Sequence, residues 1–136
     1  MSCGTPGWAA CALAFTTLYV NAGAAPLLRC DVTYAGSTQT IEARPVANPY
    51  PVPSVDIGGR FRFKAVVVGD DTNVERILLY TYLDAKRQPL LVQQAKYLPP
   101  YPVTTRPYPL TGEQHVYAGV AERELIYSCT LEGVAP

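Results

Sequence analysis

Cys30 and Cys129 lie near opposite ends of the chain, each inside a stretch where apolar and polar residues alternate. The apolar positions of these two stretches are Leu28, Cys30, Val32 and Tyr34, and Leu125, Tyr127, Cys129 and Leu131. Successive side chains of a β-strand point to opposite faces, so the alternation predicts two strands whose cysteines both face the core.

The N-terminal segment has a different composition, because no Lys, Arg, Asp or Glu occurs before Arg29. Residues 8–20 read WAACALAFTTLYV, which has the length and apolar character of the central part of a secretory signal peptide. Small residues follow at 22–24, so cleavage is predicted after Ala24. A short buried N-terminal helix is the alternative. The apolar run is shorter than the ~20 residues of a membrane-spanning helix, so no permanent membrane span is expected.

This cleavage site divides the chain into a signal peptide, residues 1–24, and a single β domain, residues 25–136. Cys3 and Cys11 would leave with the signal, and only the pair Cys30 and Cys129 would remain. In a periplasmic or secreted protein such a pair is expected to form a disulfide. It would close a loop of about 100 residues, contributing ~4 to 5 kcal/mol on the chain-entropy model.

Period-two alternation recurs along the mature chain. It predicts strands near residues 28–34, 39–44, 54–57, 61–67, 74–83, 90–97, 114–121 and 122–131. Turn residues follow about every ten positions, which is typical of antiparallel hairpins. The sequence therefore predicts an all-β fold, a small antiparallel sandwich or barrel of about eight strands closed by one disulfide. The immunoglobulin pattern does not fit, because the cysteine spacing is too long and the only Trp lies in the presumed signal.

The clearest hairpin joins residues 61–67 to residues 74–83 through turn residues that include Gly69 and Asn73. A loop from Asp70 to Asn73 would place three residue pairs opposite one another: Val67 and Arg76, Phe63 and Tyr80, and Phe61 and Tyr82. This register predicts aromatic cross-strand pairs on the core face.

On the opposite face of the same strand, Arg60, Arg62 and Lys64 form a predicted basic patch. A patch of this kind would bind an anionic partner, whereas a charged outer face also protects a sheet from aggregation. Overall, 11 Lys and Arg balance 11 Asp and Glu, so no global field attracts nucleic acid, and no nucleic-acid partner is expected.

Two proline-rich segments, 45–53 and 99–109, interrupt the strand pattern and together hold nine of the 13 prolines. They contain three near-copies of Pro-Tyr-Pro-aliphatic, centred on Tyr50, Tyr101 and Tyr108. Flanking prolines restrict the backbone, so an exposed tyrosine there would be ordered at low entropic cost. These three tyrosines are the predicted binding residues; the alternative is that they cover the ends of the fold.

Candidate catalytic and metal-binding groups are few. His115 is the only histidine, and no His or free Cys partner has the spacing of a zinc site, so no metal or other cofactor is expected. Asp70, Asp71, Asn73 and Glu75 resemble calcium ligands but lack the glycine and distal glutamate of an EF-hand loop. Glu122 and Glu124 share a strand face, which is poor geometry for a glycosidase pair.

These observations predict a non-enzymatic, exported β domain that binds an envelope protein or glycan through its Tyr/Pro-rich loops, in an inhibitor-like or accessory role. A structural module that forms homo-oligomers through open strand edges is the first alternative. A small hydrolase that uses His115 is the second.

Overall fold

The computed structural model describes residues 25–104, 106–119 and 123–135, together with Gly4 and Gly7. The predicted signal peptide, apart from Gly4 and Gly7, and Glu122 lie outside the described residues. The chain forms ten strands: β1 Leu27–Tyr34, β2 Ser37–Ala43, β3 Pro45–Val46, β4 Val55–Ile57, β5 Phe61–Gly69, β6 Val74–Asp84, β7 Pro89–Tyr97, β8 Tyr108–Pro109, β9 Gln114–Ala118 and β10 Arg123–Glu132. Eight of them overlap the predicted strands. The other two, β3 and β8, have two residues each and lie in the proline-rich segments.

The strands form two separate five-stranded sheets, so the fold is all-β as predicted and the strands do not close into one sheet. The first sheet has the order β2–β1–β10, and both β9 and β8 pair with the remaining edge of β10. The second has the order β5–β6–β7, and both β3 and β4 pair with the remaining edge of β5. Only β3 pairs in parallel; the other described pairings are antiparallel. No helix within the described ranges is long and apolar enough to cross a bilayer.

One apolar core lies between the sheets and gives the fold a sandwich-like arrangement. Phe63 of the second sheet contacts Tyr127 of the first, with ring centroids 5.0 Å apart. The predicted core positions of β1 and β10 are buried except Tyr34, which is half-buried against the core, and Phe61 and Phe63 are 0% exposed. Burying a large apolar side chain of this kind stabilises a fold by roughly 1.5–3 kcal/mol, so these faces hold the sheets together.

The predicted disulfide between Cys30 and Cys129 is present and buried. The two cysteines lie directly opposite each other on the antiparallel neighbours β1 and β10. The bridge therefore joins adjacent strands of the first sheet and ties together segments that are 99 residues apart in the sequence.

The predicted register of the β5–β6 hairpin is wrong by one residue over most of its length. Gly69 pairs with Val74, as the four-residue loop requires, but Val68 pairs with Arg76, so Glu75 is an extra residue in a β-bulge. Gly69 permits this turn because its φ is 148°, and an added Cβ would collide with the carbonyl oxygen of Asn73.

Beyond the bulge the partners change. Phe61 lies opposite Leu83 and Phe63 opposite Thr81, so the predicted aromatic pairs do not form. Because a one-residue shift moves every side chain to the other face, Tyr80 and Tyr82 lie on the outward face of the second sheet.

Candidate functional site

The outward face of the second sheet carries a row of aromatic, basic and amide side chains. Register places Lys64 opposite Tyr80 and Tyr80 opposite Gln94, and it places Arg62 opposite Tyr82 and Tyr82 opposite Leu91. We call this set the tyrosine face: Arg62, Lys64, Tyr80, Tyr82, Leu91 and Gln94.

Two tyrosines form the centre of this face. The ring centroids of Tyr80 and Tyr82 are 6.2 Å apart, and their planes lie 17° from parallel. The ammonium group of Lys64 lies 5.6 Å from the centroid of the Tyr80 ring, within the range of a cation–π interaction. A tyrosine hydroxyl is protonated at neutral pH, and partial burial, followed by the neighbouring Tyr80, raises the pKa of Tyr82 further. The aromatic pair is thus a neutral hydrogen-bonding surface bordered by a cation.

Arg62 organises one side of the tyrosine face. Its Nε donates a hydrogen bond to the Ser54 hydroxyl at 2.8 Å, and its Nη2 donates to the Ser54 carbonyl at 3.0 Å. These bonds connect β5 to the residue before β4. The guanidinium is therefore held within the chain, and Lys64 is the more available cation on this face.

A small apolar cluster continues the same outward face. Val66, Val68 and Leu78 are buried there, and Val46, Val52 and Tyr80 pack against them. Because Val46 and Val52 belong to the segment 45–53, that segment covers the part of the face next to Tyr80.

Tyr50 lies at the tip of this covering segment and is 90% exposed. Its amide donates a hydrogen bond to the Asn48 side chain at 3.1 Å, and the amide of Val52 closes a turn onto the Pro49 carbonyl at 3.4 Å. Tyr50 is therefore an exposed ring on a restrained turn, and Val52 in that turn packs against the same cluster as Tyr80.

The other two predicted tyrosines have different environments. Tyr101 is half-buried against the core between the sheets, and its hydroxyl donates a hydrogen bond to the Tyr97 carbonyl at 2.8 Å. Burial raises the pKa of this phenol. Tyr108 is half-buried in β8, opposite Leu131. Tyr101 thus contributes to packing, and binding of one ligand by all three tyrosines stays a prediction.

The predicted basic patch is divided between two places. Arg62 and Lys64 belong to the tyrosine face, whereas Arg60 lies in the turn before β5 and lines a separate cleft at one end of the molecule. The patch is divided because β5 begins at Phe61. Arg60 therefore lies outside the strand, and the alternation of side chains between the two faces of β5 does not apply to it.

His115 lies on the exposed surface of β9, between two carboxylates. Its Nδ1 is 2.8 Å from Glu124 Oε1, and its Nε2 is 2.8 Å from Glu113 Oε1. The hydrogen bonds to Glu124 and Glu113 raise the pKa of the ring. A general base needs an unprotonated nitrogen directed at its substrate, so this arrangement favours an ion-pairing role for His115.

In the acidic turn between β5 and β6, the Asp70 carboxylate accepts hydrogen bonds from residues of the same turn. Asp70 Oδ1 accepts hydrogen bonds from the Thr72 amide, the Thr72 hydroxyl and the Asn73 amide at 2.7–2.8 Å. These bonds lower the pKa of Asp70. In the part of the chain that the structure describes, no three His, Cys, Asp or Glu residues are grouped to hold a metal ion.

Tyr80 and Tyr82 are the residues of this face that the sequence reasoning assigned to the core. Ile77, Leu79 and Leu83 are aliphatic residues at odd-numbered positions of β6, and all three face the core in the observed register. This shared parity was the sequence feature that indicates the even-numbered Tyr80 and Tyr82 as outward-facing. No protein-family model, curated protein or solved structure matches the chain.

Proposed function

We propose that the mature domain is an exported, non-enzymatic binding module that binds a glycan of the cell envelope through the tyrosine face. The observation that carries this proposal is the near-parallel pair of Tyr80 and Tyr82, bordered by Lys64, on an outward sheet surface. Aromatic rings have a negative face, which attracts the weakly positive C–H groups of a sugar ring.

The chemistry of the face suits a hydroxyl-rich ligand better than an apolar protein surface. Within the described residues the hydroxyls of Tyr80 and Tyr82 have no hydrogen-bond partner in the chain, and Gln94 opposite Tyr80 adds an exposed amide. Protein hot spots are typically desolvated pockets filled by an anchor residue, and this face is a shallow polar and aromatic surface. A glycan can satisfy these groups through its own hydroxyls.

Tyr50 extends the proposed site. Its turn is restrained by local hydrogen bonds and by the packing of Val52, so a ligand would order little more than the ring. Tyr101 is proposed to support the fold at the second proline-rich segment, where its hydroxyl is already bonded.

The proposed location is the periplasm or the extracellular space. The buried disulfide suits an oxidising compartment, and the N-terminal apolar segment suits export with cleavage after Ala24.

Binding to a panel of neutral and acidic envelope polysaccharides, measured by affinity electrophoresis and calorimetry, tests the proposal. Tyr80→Ala, Tyr82→Ala and Tyr50→Ala should each weaken binding by about tenfold, because each variant removes one aromatic ring from the proposed sugar-binding surface. Tyr117→Ala is the matched control, because Tyr117 is 63% exposed on the first sheet. Equal binding by the variants of the tyrosine face and the control would contradict the proposal, and so would capture of an envelope protein without any polysaccharide.

A second candidate function is assembly through the edge strand β7. This strand pairs only with β6 among the described strands, and it exposes Leu90 at 55% and Leu91 at 47%. Exposed apolar edge strands tend to pair with other strands. A molecular mass in solution that rises with protein concentration in the native protein but not in the Leu90→Lys variant would favour assembly. A monomeric mass at all concentrations would exclude it.

A further inference from the structure

A cleft at one end of the molecule lies apart from the tyrosine face and has its own chemistry. It has a volume of about 420 Å³ and is lined by parts of three connections: the turn before β5, the β6–β7 turn and the β9–β10 hairpin. Leu83 supplies an apolar wall that packs against the core. This volume is within the ~300–1,000 Å³ range of small-molecule sites.

Most of the charged side chains that line the cleft in the described part of the chain are positive. Among the described residues, Arg60, Lys86 and Arg123 line it together with one carboxylate, Asp84. None of the three cations forms an ion pair within the described residues. Like charges that converge on one cleft repel one another, and a bound anion would replace this repulsion with attraction.

The backbone is paired at two of these cationic residues. The Arg60 amide donates to the Ile57 carbonyl at 3.2 Å, and the Arg60 carbonyl accepts from the Asp84 amide at 2.8 Å. Arg123 pairs with Ala118 at the start of β10. Both arginines therefore line the cleft from paired backbone, and guanidinium groups match the geometry of oxyanions.

We propose that this cleft binds an oxyanion ester, a phosphate or sulfate group carried on a small organic molecule. The cations would hold the oxyanion, while Leu83 would contact the organic part. This site shares no residue with the tyrosine face, so the proposal of oxyanion binding is independent of the proposed glycan binding.

Calorimetry with glucose 6-phosphate, glucose 6-sulfate, inorganic phosphate and glucose tests the proposal on the mature domain. The two sugar esters are expected to bind more tightly than inorganic phosphate, and glucose is expected not to bind. A preference between the two esters identifies which oxyanion the cleft selects. Binding should weaken as salt is added, because the attraction is between exposed charges.

Charge-changing variants assign the binding to this cleft. Arg60→Gln and Arg123→Gln should each weaken ester binding by about three- to fivefold, the range for exposed charge pairs. Arg76→Gln, which removes a cation paired with Glu75 elsewhere, is the matched control and should have no effect. Asp84→Asn should tighten binding, an outcome that misfolding cannot produce.

Absence of ester binding at millimolar concentrations would overturn the proposal. Equal weakening by Arg60→Gln and Arg76→Gln would overturn it as well, because the effect would then come from overall charge. Weaker ester binding with polysaccharide binding intact in the Arg60→Gln variant would support two separate sites.

Discussion

His115 shows how two neighbouring carboxylates set the charge of one residue. A neutral imidazole donates a hydrogen bond from only one of its nitrogens, whereas the protonated ring donates from both. Because Nδ1 and Nε2 each lie 2.8 Å from a carboxylate, the folded protein favours the protonated ring. The pKa of Glu124 is lowered in turn by hydrogen bonds from Tyr117 and His115.

The pKa of His115 should therefore exceed its ordinary value of 6.5 in an NMR titration. A raised pKa in the folded state means that the stabilising contribution is fully present below pH 6.5 and is lost as pH rises through the folded value. At the acidic end the contribution from Glu124 is fully present only above pH 4.5, its ordinary pKa, and is lost as pH falls from there through the lowered folded value. Glu124→Gln and Glu113→Gln should each lower the pKa of His115, and Glu75→Gln should leave it unchanged. A pKa of His115 at or below 6.5 would contradict the ion-pairing role.

At the scale of the element, the β5–β6 hairpin decides which side chains reach the core. The bulge at Glu75 turns Tyr80 and Tyr82 outward and places Thr81 inside, opposite Phe63. Thr81 is 1% exposed, and its hydroxyl has no partner among the described residues. The hairpin thus buries one unsatisfied hydroxyl in order to keep its aliphatic residues in the core.

Three substitutions test this register by chemical denaturation. Phe63→Ala should lower the free energy of unfolding by ~3 kcal/mol or more, because Phe63 is fully buried. Tyr82→Ala should cost only about 1 kcal/mol, because its ring lies on the outer face. Thr81→Val should raise stability by about 1 kcal/mol, since it removes a buried hydroxyl and preserves the shape of the side chain. Comparable losses for Tyr82→Ala and Phe63→Ala would mean that Tyr82 faces the core.

For the whole molecule, the disulfide and the strand order bring distant parts of the sequence together. β1 and β10 are neighbours in the first sheet, so Cys30 meets Cys129 without crossing between the sheets. The bridge restricts the unfolded chain over almost the entire described domain, and this is where most of its stabilisation is expected to arise.

Protein isolated from its native compartment should begin at Ala25, and its cysteines should react with alkylating agents only after reduction. Intact mass and peptide mapping check both statements. Replacing Cys30 and Cys129 with Ala should lower the free energy of unfolding by ~2–5 kcal/mol. An unprocessed N-terminus would contradict the export proposal. Two free thiols would indicate a reducing compartment instead.

Local alternation in the sequence was enough to predict the strands, the core faces of β1 and β10, and the disulfide. Side chains alternate between the two faces of an extended backbone, so local alternation indicates the face. The predicted removal of Cys3 and Cys11 with the signal peptide would leave Cys129 as the partner of Cys30. The predicted register was wrong because the turn residues by themselves indicate a four-residue loop without a bulge. The shared parity of Ile77, Leu79 and Leu83 favours the opposite face of β6, but the extra residue at Glu75 that reconciles this parity with the turn is selected by how the whole hairpin packs on the first sheet. The tyrosine face and the cleft that joins Arg60 to Arg123 likewise exist only in the folded chain, because both are assembled from strands and turns that are distant in the sequence.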